Sequence, residues 1–511
     1  MSLLLSGFIT AASAQKTRPE NTDYVETSRY DDVISFLNTA AQNSKLVHVA
    51  TFGYSFEGRP LPLAVVGRVS DAKASTVRAS GKLRVYIQAN IHAGEVEGKE
   101  SAQILVREIA AGRYAQWLDS MVLLIAPIYN ADGNERISLT NRGPQHGPIG
   151  GMGVRANAQG LNINRDNMKL ETPEARSMVR LLNEYDPHVM IDLHTTDGSY
   201  HAYHLTWEVP GNPASDPRIE QLARYEWMPA VTRAFKSKYG WDLFSYGDPS
   251  GTAPNRVWST VEDLPRYTHN YWGLRNRFGV LSEVFSYLTF QDRIATASRF
   301  LEELLNYAHA NAARIRKTAD DADAASIVGQ RLSLRSRPKR SEQKVEVLMG
   351  DVARETNPYS GQTILRRLDV RKPEQMWWEG TFESIESERV PQAYYIPAEF
   401  GAAIERLQAH GIRMERLEQE TTIDVEEFRI ESNQVAPQAF ERHQERTLTG
   451  KYESVRRTIP AGTYGVAMKQ PLARLAFYLL EPRSNDGLLT WNFFDDALKS
   501  TAAYPVVRSR N

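Results

Sequence analysis

The feature that most constrains the fold is an alternation of strand-length apolar runs with helical patterns between residues 83 and 287. Residues 83–91 and 189–193 predict two buried strands, and the nearly continuous apolar run at 121–128 predicts a third that is covered on both faces. The stretch from 95 to 111 has the spacing of an amphipathic helix. Because this alternation is typical of strands joined by crossover helices, we predict an α/β fold with a mixed, largely parallel sheet flanked by helices.

Two further segments extend this pattern. Thr172-Pro173-Glu174 has the three signals of a helix start, which are a capping hydroxyl, a proline at the first position and an acid in the first turn. Residues 278–284 predict a fourth strand of the same sheet.

The chain of 511 residues is longer than a single hydrophobic core usually supports, so more than one domain is expected. We predict a main domain over residues 25–315, a basic and apolar-poor linker over 316–342, and a smaller α+β or β-rich accessory region over 343–511. The elements predicted in the accessory region are strands at 344–348, 421–430 and 471–480 and a helix at 398–410.

The N-terminal segment resembles the later half of a signal peptide. An apolar run from Leu3 to Ile9 is followed by the small residues Ala12-Ser13-Ala14, although the basic residue expected near the start is missing. We therefore predict a signal peptide over residues 1–14 and a secreted or periplasmic protein.

Composition excludes several function classes. The 61 lysines and arginines balance 62 acidic residues, so no overall field attracts nucleic acid. No stretch reaches the roughly 18 apolar residues of a membrane span. The chain has no cysteine, so disulfides, thiolate nucleophiles and cysteine-based metal sites are excluded, and any transition-metal site needs His, Asp and Glu.

Two histidines and a glutamate lie at the positions where such a site is expected. His92 and Glu95 follow the first predicted strand, and His194 ends the predicted strand at 189–193. Functional crevices of open α/β sheets lie beyond the carboxyl ends of the strands, so the three side chains point to one place. Two histidines and a glutamate are a standard ligand set for catalytic zinc, which keeps its fourth position open.

The order of motifs along the chain resembles the zinc metallocarboxypeptidase family, the carboxypeptidase A clan. No motif is specific alone, but five of them in this order are specific together. The resemblance covers about residues 30–310, and its motifs are His92-x-x-Glu95, Pro127-Ile-Tyr-Asn130-Ala-Asp132-Gly133, Gly160-Leu-Asn-Ile-Asn164-Arg165, Asp192-Leu-His194 and Glu283 near the end of a late strand.

The resemblance implies a role for each matching residue. His92, Glu95 and His194 match the ligands of one Zn²⁺, and Glu283 matches the glutamate that serves as general base toward the zinc-activated water. Asn164 and Arg165 match the pair that binds the terminal carboxylate of the substrate, a task that suits the planar guanidinium group.

Two of the implied roles have competing candidates. Arg155 and Arg142 both precede the Asn164-Arg165 pair, and we favour Arg155 as the cation that stabilises the oxyanion because the family-like run from it is uninterrupted. Tyr271 and Tyr267 both precede Glu283, and Tyr271 is our choice for the tyrosine that covers the substrate, although a buried aromatic residue is the commoner role of either.

The chain departs from the family pattern at two places. Ala93 and Gly94 occupy the interval between the first zinc histidine and the glutamate, where the family has an arginine, which puts binding of long peptides in doubt. Asn162 replaces an aspartate two residues before Asn164. If this position orients His92, an amide acts there in place of a charged acceptor.

These observations predict a zinc metallocarboxypeptidase that hydrolyses the C-terminal amide bond of peptides with a free carboxylate. One alternative is a zinc amidase or deacylase acting on cell-wall peptides or acylated amino acids. Another is an inactive binding protein with a degenerate zinc site, which the intact set of ligands and Glu283 disfavours. The sequence does not determine the oligomeric state.

Overall fold

The computed structural model describes residues 15–196, 198–499 and 501–509. The predicted signal peptide, residues 1–14, lies outside them, so export stays a prediction of the sequence. No helix among the described residues combines the length and apolar character needed to cross a lipid bilayer.

The N-terminal region, residues 15–324, alternates strands and helices. Its strands are β1 (Val47–Tyr54), β2 (Pro60–Val66), β3 (Leu83–Ala89), β4 (Met121–Ala126), β5 (Val189–Thr196), β6 (Leu205–Glu208), β7 (Leu243–Ser245), β8 (Asp248–Ser250), β9 (Val257–Ser259) and β10 (Phe278–Phe285). Its helices are α1 (Arg18–Asn21), α2 (Tyr30–Asn43), α3 (Ala74–Ala79), α4 (Glu97–Ala110), α5 (Ala131–Glu135), α6 (Pro173–Tyr185), α7 (Pro217–Leu222), α8 (Met228–Tyr239), α9 (Thr268–Leu274), α10 (Phe290–Ala310) and α11 (Ala312–Ala324).

Eight of these strands form one sheet in the order β1-β2-β4-β3-β5-β10-β6-β7. The pairs β3/β4, β3/β5, β5/β10 and β6/β7 are parallel, and the pairs β1/β2, β2/β4 and β6/β10 are antiparallel. The predicted fold class, a mixed and largely parallel sheet flanked by helices, is therefore confirmed. Every residue of β3, β4 and β5 is buried, as expected for central strands covered on both faces.

Local sequence signals place the helices next to this sheet. The Thr172 hydroxyl accepts a hydrogen bond from the backbone N–H of Ala175 at 3.1 Å, so α6 begins as its sequence predicts. Helix α4 approaches β5 closely at Gly98, where an added Cβ would lie 2.6 Å from the Cβ of Leu193. This close approach fixes the start of α4 beside the carboxyl end of β5.

The C-terminal region, residues 325–509, is rich in strands. Its strands are β11 (Arg331–Lys339), β12 (Val345–Met349), β13 (Val352–Thr356), β14 (Thr363–Arg367), β15 (Lys372–Glu379), β16 (Thr381–Arg389), β17 (Ala393–Ile396), β18 (Glu415–Arg416), β19 (Thr421–Val435), β20 (Arg446–Ile459), β21 (Tyr464–Ala467) and β22 (Val507–Ser509), and its helices are α12 (Gly401–His410) and α13 (Ala473–Leu480).

This region packs against the N-terminal region through strands and apolar side chains. Strand β15 pairs in parallel with β9, so one four-stranded sheet, β12-β15-β9-β8, contains strands of both regions. A six-stranded sheet, β18-β21-β17-β22-β19-β20, carries the long hairpin of β19 and β20. The largest apolar cluster joins residues of both regions in one continuous core.

The predicted linker at 316–342 is wrong for most of its length. Its first part completes α11, which buries Ile315, Ala319 and Ala322, and its later part forms β11. Two basic residues of β11 lie opposite acidic residues of β16: Arg335 is the register partner of Glu386, and Arg337 lies 2.7 Å from Glu383. The segment looked like a solvated connector because its charge partners lie some 50 residues further along the chain.

The predicted strand at 471–480 is also wrong, because these residues contain α13. All eight residues of α13 are buried, so the helix has no exposed face whose polar residues would reveal a helical period. A short apolar run of this kind does not distinguish a buried strand from a buried helix. The other three elements predicted in this region correspond to β12, β19 and α12.

Candidate metal centre and substrate cavity

Two neighbouring parallel strands bring the predicted ligands together. His92 and Glu95 follow the carboxyl end of β3, while His194 lies near the end of β5, the next strand in the sheet. The ligand atoms of His92, Glu95 and His194 lie within 4.8 Å of one another, and all three residues are buried. The sheet therefore assembles the triad that the sequence predicts.

Both imidazole rings turn the same nitrogen toward the carboxylate. Nδ1 of His92 lies 3.0 Å from one oxygen of Glu95, and Nδ1 of His194 lies 2.9 Å from the other. The backbone N–H of Thr195 donates to the second oxygen at 3.1 Å. Two inward Nδ1 atoms and a carboxylate between them are a donor set that suits a divalent cation.

The outer nitrogens of the two rings lie beside oxygens of different charge. Nε2 of His92 lies 3.1 Å from the amide oxygen of Asn162, and Nε2 of His194 lies 2.9 Å from a carboxylate oxygen of Asp192. Such partners fix the tautomer in which Nε2 carries the proton and Nδ1 is free to bind a metal. The residues of the site thus fit a zinc ion.

The pKa values of the two histidines diverge. Burial lowers the pKa of His92 to about 4, against the attraction of Glu95. Burial also opposes a charge on His194, but Asp192 and Glu95 outweigh it and hold the pKa of His194 well above its ordinary value. Burial likewise raises the pKa of Glu95, but His92 and Arg142 outweigh it, so its pKa is well below the ordinary range.

Glu283 lies directly beside the metal ligands. It is the register partner of His194 in the parallel pair β5/β10, so the two side chains extend from the same face of the sheet. Both residues line a cavity of about 220 Å³ at the carboxyl ends of the strands. The other residues lining this cavity are His92, Glu95, Arg142, Arg155, Asn164, Arg165, Thr195, Thr196, Tyr246, Val261, Tyr267, His269 and Leu281.

Both competing arginines reach the cavity, but they have different surroundings. The guanidinium of Arg142 lies 2.9 Å from Glu95, and its side chain is nearly buried. Its path crosses Gly94, where an added Cβ would lie 2.4 Å from Cγ of Arg142. Arg155 is half-exposed, and its Nη1 lies 3.7 Å from Glu95 and 3.3 Å from Nδ1 of His92. Glycine at position 94 is thus what lets Arg142 reach Glu95.

Arg165 lines the cavity near Tyr267. Its guanidinium carbon lies 4.1 Å from the centre of the Tyr267 ring, and Nη1 donates to the backbone oxygen of Asn164 at 2.7 Å. Burial lowers the pKa of Arg165, against the opposing effect of Tyr267. The pair predicted to bind a carboxylate therefore has a partly desolvated positive charge, held flat on an aromatic ring.

The choice of Tyr271 as the substrate-covering tyrosine is wrong. Tyr271 is fully buried, and its hydroxyl lies 2.7 Å from Nδ1 of His410 in α12 of the C-terminal region. Arg275 donates to the same hydroxyl at 3.2 Å. The sequence does not reveal this because the partner histidine lies 139 residues away. Tyr267, the competing candidate, lines the cavity instead.

Two residues of the site were given no role from the sequence. Asp192 supports His194 and accepts a hydrogen bond from Thr268 at 2.5 Å. Its position two residues before His194 on a strand is a usable signal, since residues i and i+2 share a face. His269 lines the cavity wall but lies in a loop-to-helix segment that carries no strand or helix period.

Comparison with known proteins agrees with this geometry. The model of the zinc carboxypeptidase family matches residues 33–263, a range that includes His92, Glu95 and His194 and ends before Glu283. The chain therefore contains a zinc carboxypeptidase domain. It is accordingly a metallocarboxypeptidase-type enzyme that acts on peptides, and zinc is its cofactor.

Proteins that are similar to most of this chain are named carboxypeptidases. "Probable carboxypeptidase 2" of Arthroderma benhamiae is 25% identical over 484 residues, which cover 90% of this chain and 84% of that protein. "Carboxypeptidase 2" of Trichophyton rubrum is 24% identical and covers 94% of this chain and 86% of that protein. A metallo-carboxypeptidase structure from Burkholderia cenocepacia is similar over 56% of this chain and 70% of its own, with 19% identity and a TM-score of 0.41.

Proposed function

We propose that this zinc carboxypeptidase removes the last residue of peptides that end in a free carboxylate, with Glu283 as its general base. The observation that carries the proposal is the composition of one small cavity. It contains the metal-binding triad, the carboxylate of Glu283 on the neighbouring strand, and the guanidinium of Arg165. Reaction chemistry and terminal-carboxylate recognition are thus within reach of one short substrate.

The proton transfers fall to Glu283. Zinc, when bound, polarises its ligands as a Lewis acid and makes water a good nucleophile at neutral pH. The Glu283 carboxylate takes a proton from the attacking water as the oxygen bonds to the substrate carbonyl carbon. It then gives that proton to the departing amine as the carbon–nitrogen bond breaks. A carboxylate that is not itself a metal ligand can perform both transfers.

Arg165 and Asn164 recognise the substrate terminus in this proposal. A guanidinium presents two parallel N–H donors that match the two oxygens of a carboxylate. Contact with Tyr267 restricts the rotation of Arg165, so less conformational entropy is lost on binding. The burial that lowers the pKa of Arg165 also strengthens its attraction to an anion.

Arg155 is the better candidate for stabilising negative charge on the substrate carbonyl oxygen. Arg142 already forms a close ion pair with Glu95, whereas the nearest Glu95 oxygen is 3.7 Å from Arg155. Arg155 is also the more exposed of the two at the cavity wall, so its guanidinium has room to turn toward a bound substrate. Arg142 then serves to orient Glu95.

A peptide-library digest read by mass spectrometry tests this function. We expect loss of one C-terminal residue from free peptides, no cleavage of their C-terminally amidated counterparts, and no cleavage of either after a chelator removes the metal. Arg165→Ala should raise KM for free peptides by about 10- to 100-fold, because it removes a charge-assisted hydrogen-bonded pair.

The alternatives predict different products. Equal effects of Arg165→Ala on free and amidated substrates, or release of acyl groups in place of amino acids, would favour an amidase or deacylase. Absence of any product from the zinc-loaded protein would favour a binding protein.

A further inference from the structure

The tip of the long β19–β20 hairpin is the most unusual backbone feature near the cavity. Phe440 and His443 exchange two backbone hydrogen bonds, at 2.8 and 2.9 Å, so Glu441 and Arg442 form a two-residue loop between them. We refer to Phe440–His443 as the tip turn. Glu441 has φ of 46° and Arg442 has φ of 69°, so both adopt the left-handed conformation.

This conformation does not match the residues that adopt it. A two-residue hairpin loop with two positive φ angles is the type that favours Asn-Gly, because Cβ of most other residues lies too close to the following carbonyl oxygen in this conformation. Glutamate and arginine are therefore poor choices for the turn itself. Backbone strain of this kind persists where surrounding contacts hold it in place.

The tip turn makes those contacts with the segment that precedes Arg165. The Glu441 carboxylate accepts a hydrogen bond from the backbone N–H of Asn162 at 3.1 Å. Arg442 donates to the backbone oxygen of Gln159. Nε2 of His443 lies 2.9 Å from the carboxylate of Glu171. The two strained residues thus both bind the backbone of one active-site loop.

Asn162 connects this contact to the reaction centre. Its amide oxygen lies 3.1 Å from Nε2 of His92, a metal ligand, and accepts a hydrogen bond from the backbone N–H of Asn164 at 3.0 Å. One side chain therefore orients both a zinc ligand and the start of the carboxylate-binding pair. Any shift of the Asn162 backbone moves both.

A second contact of the same region supports the other side of Arg165. Asp486 accepts hydrogen bonds from the backbone N–H and Nε of Arg266 at 2.6 and 3.0 Å. Glu445 accepts from Nη1 of Arg266 at 2.6 Å. Arg266 immediately precedes Tyr267, the ring under the Arg165 guanidinium. The C-terminal region therefore holds both the loop that carries Arg165 and the loop that supports it.

We propose that the tip turn is a positioning element of the active site, in which Glu441 fixes Asn162 and through it His92 and the Asn164-Arg165 pair. This inference rests on the proposed carboxypeptidase function. It gives the C-terminal region an indirect part in substrate binding, through Asn162. It also explains why residues unsuited to the turn occupy it, since Asn-Gly would have no side chains long enough to reach Asn162 and Gln159.

The test replaces the tip with the residues that the turn conformation favours, in the double variant Glu441→Asn, Arg442→Gly. We expect an equal or higher melting temperature, because the strain is relieved. We also expect KM for free peptides to rise and zinc affinity, measured by competition with a chelator, to fall. Loss of an outer partner of a metal ligand costs 10- to 100-fold, and Glu441 acts one step further out, so we expect about three- to tenfold for each.

Two further variants separate positioning from simple docking. Glu441→Ala should show most of the loss, and Glu441→Gln should recover most of it, since an amide oxygen still accepts from the Asn162 N–H. Gln438→Ala, at an exposed position of the same loop, is the matched control and should behave as the parent protein.

Each contrary result has a distinct meaning. KM and zinc affinity within twofold of the parent in the double variant would overturn the proposal. A lowered melting temperature that accompanies the loss would reduce the tip turn to a docking contact and would also overturn it. If the parent protein shows no carboxypeptidase activity, the proposed function fails, while zinc affinity still tests the tip turn.

Discussion

The two regions of the molecule differ in where their polar side chains lie relative to the cavity. In the N-terminal region, buried acids and histidines gather at the carboxyl ends of β3, β5 and β10, where they face one cavity. In the C-terminal region, the long strands β19 and β20 are largely exposed, and the polar groups of their tip turn contact the other region. In the functions that we propose, the sheet carries the reacting groups and the tip turn of the C-terminal region positions them.

The largest expected effect on stability belongs to the C-terminal region. Glu481 is fully buried and accepts hydrogen bonds from the hydroxyl of Tyr394 at 2.6 Å and from Nη1 of Arg508 at 3.1 Å. Glu481→Ala should lower the free energy of unfolding by about 3 kcal/mol, because it breaks a buried ion pair. Chemical denaturation measures this.

KM of the folded Glu481→Ala protein should stay at the parent value. A changed KM at unchanged stability would contradict this division between the regions. It would mean that buried groups of the C-terminal region affect substrate binding.

For Asp192→Asn we expect a smaller effect, which changes zinc affinity and leaves stability unchanged. The amide still accepts a hydrogen bond, but His194 loses its charged partner and becomes a weaker ligand. Zinc affinity should fall by about 10- to 100-fold, while the melting temperature of the metal-free protein stays near that of the parent. Asp424→Asn, at an exposed position of β19, is the control and should leave zinc affinity unchanged. Parent-like zinc affinity in Asp192→Asn would contradict the role of Asp192.

The smallest effect, three- to tenfold in KM and zinc affinity, is expected at the tip turn. The tip turn is the one place where we expect a change in the C-terminal region to alter KM and zinc affinity without altering stability.

Much of the N-terminal region is predictable from sequence because its signals are local. Apolar runs of strand length and the cap at Thr172 lie in or next to the element that they specify, and His92 and His194 each lie at the end of a predicted strand. The choice between Tyr267 and Tyr271 is not local. It depends on His410, which pairs with Tyr271 from another part of the chain.

The C-terminal region is harder to predict because its elements depend on contacts between residues that are far apart in the sequence. Arg335 and Arg337 of β11 pair with acidic residues of β16, and α13 is buried on every face. The role proposed for Glu441 depends on a contact with Asn162, which lies 279 residues earlier. The spacing of apolar residues along the sequence gives no information about such pairings.

The most direct test of the account is the zinc content and kcat of Glu283→Gln. We predict that one zinc per chain is retained and that kcat falls by about 10²- to 10⁴-fold, because an amide cannot take the proton of the attacking water. Ser282→Ala is the neighbouring control, since alternate residues of β10 face opposite sides of the sheet, and it should keep both properties. A Glu283→Gln enzyme with full zinc and parent-like kcat would contradict the central claim.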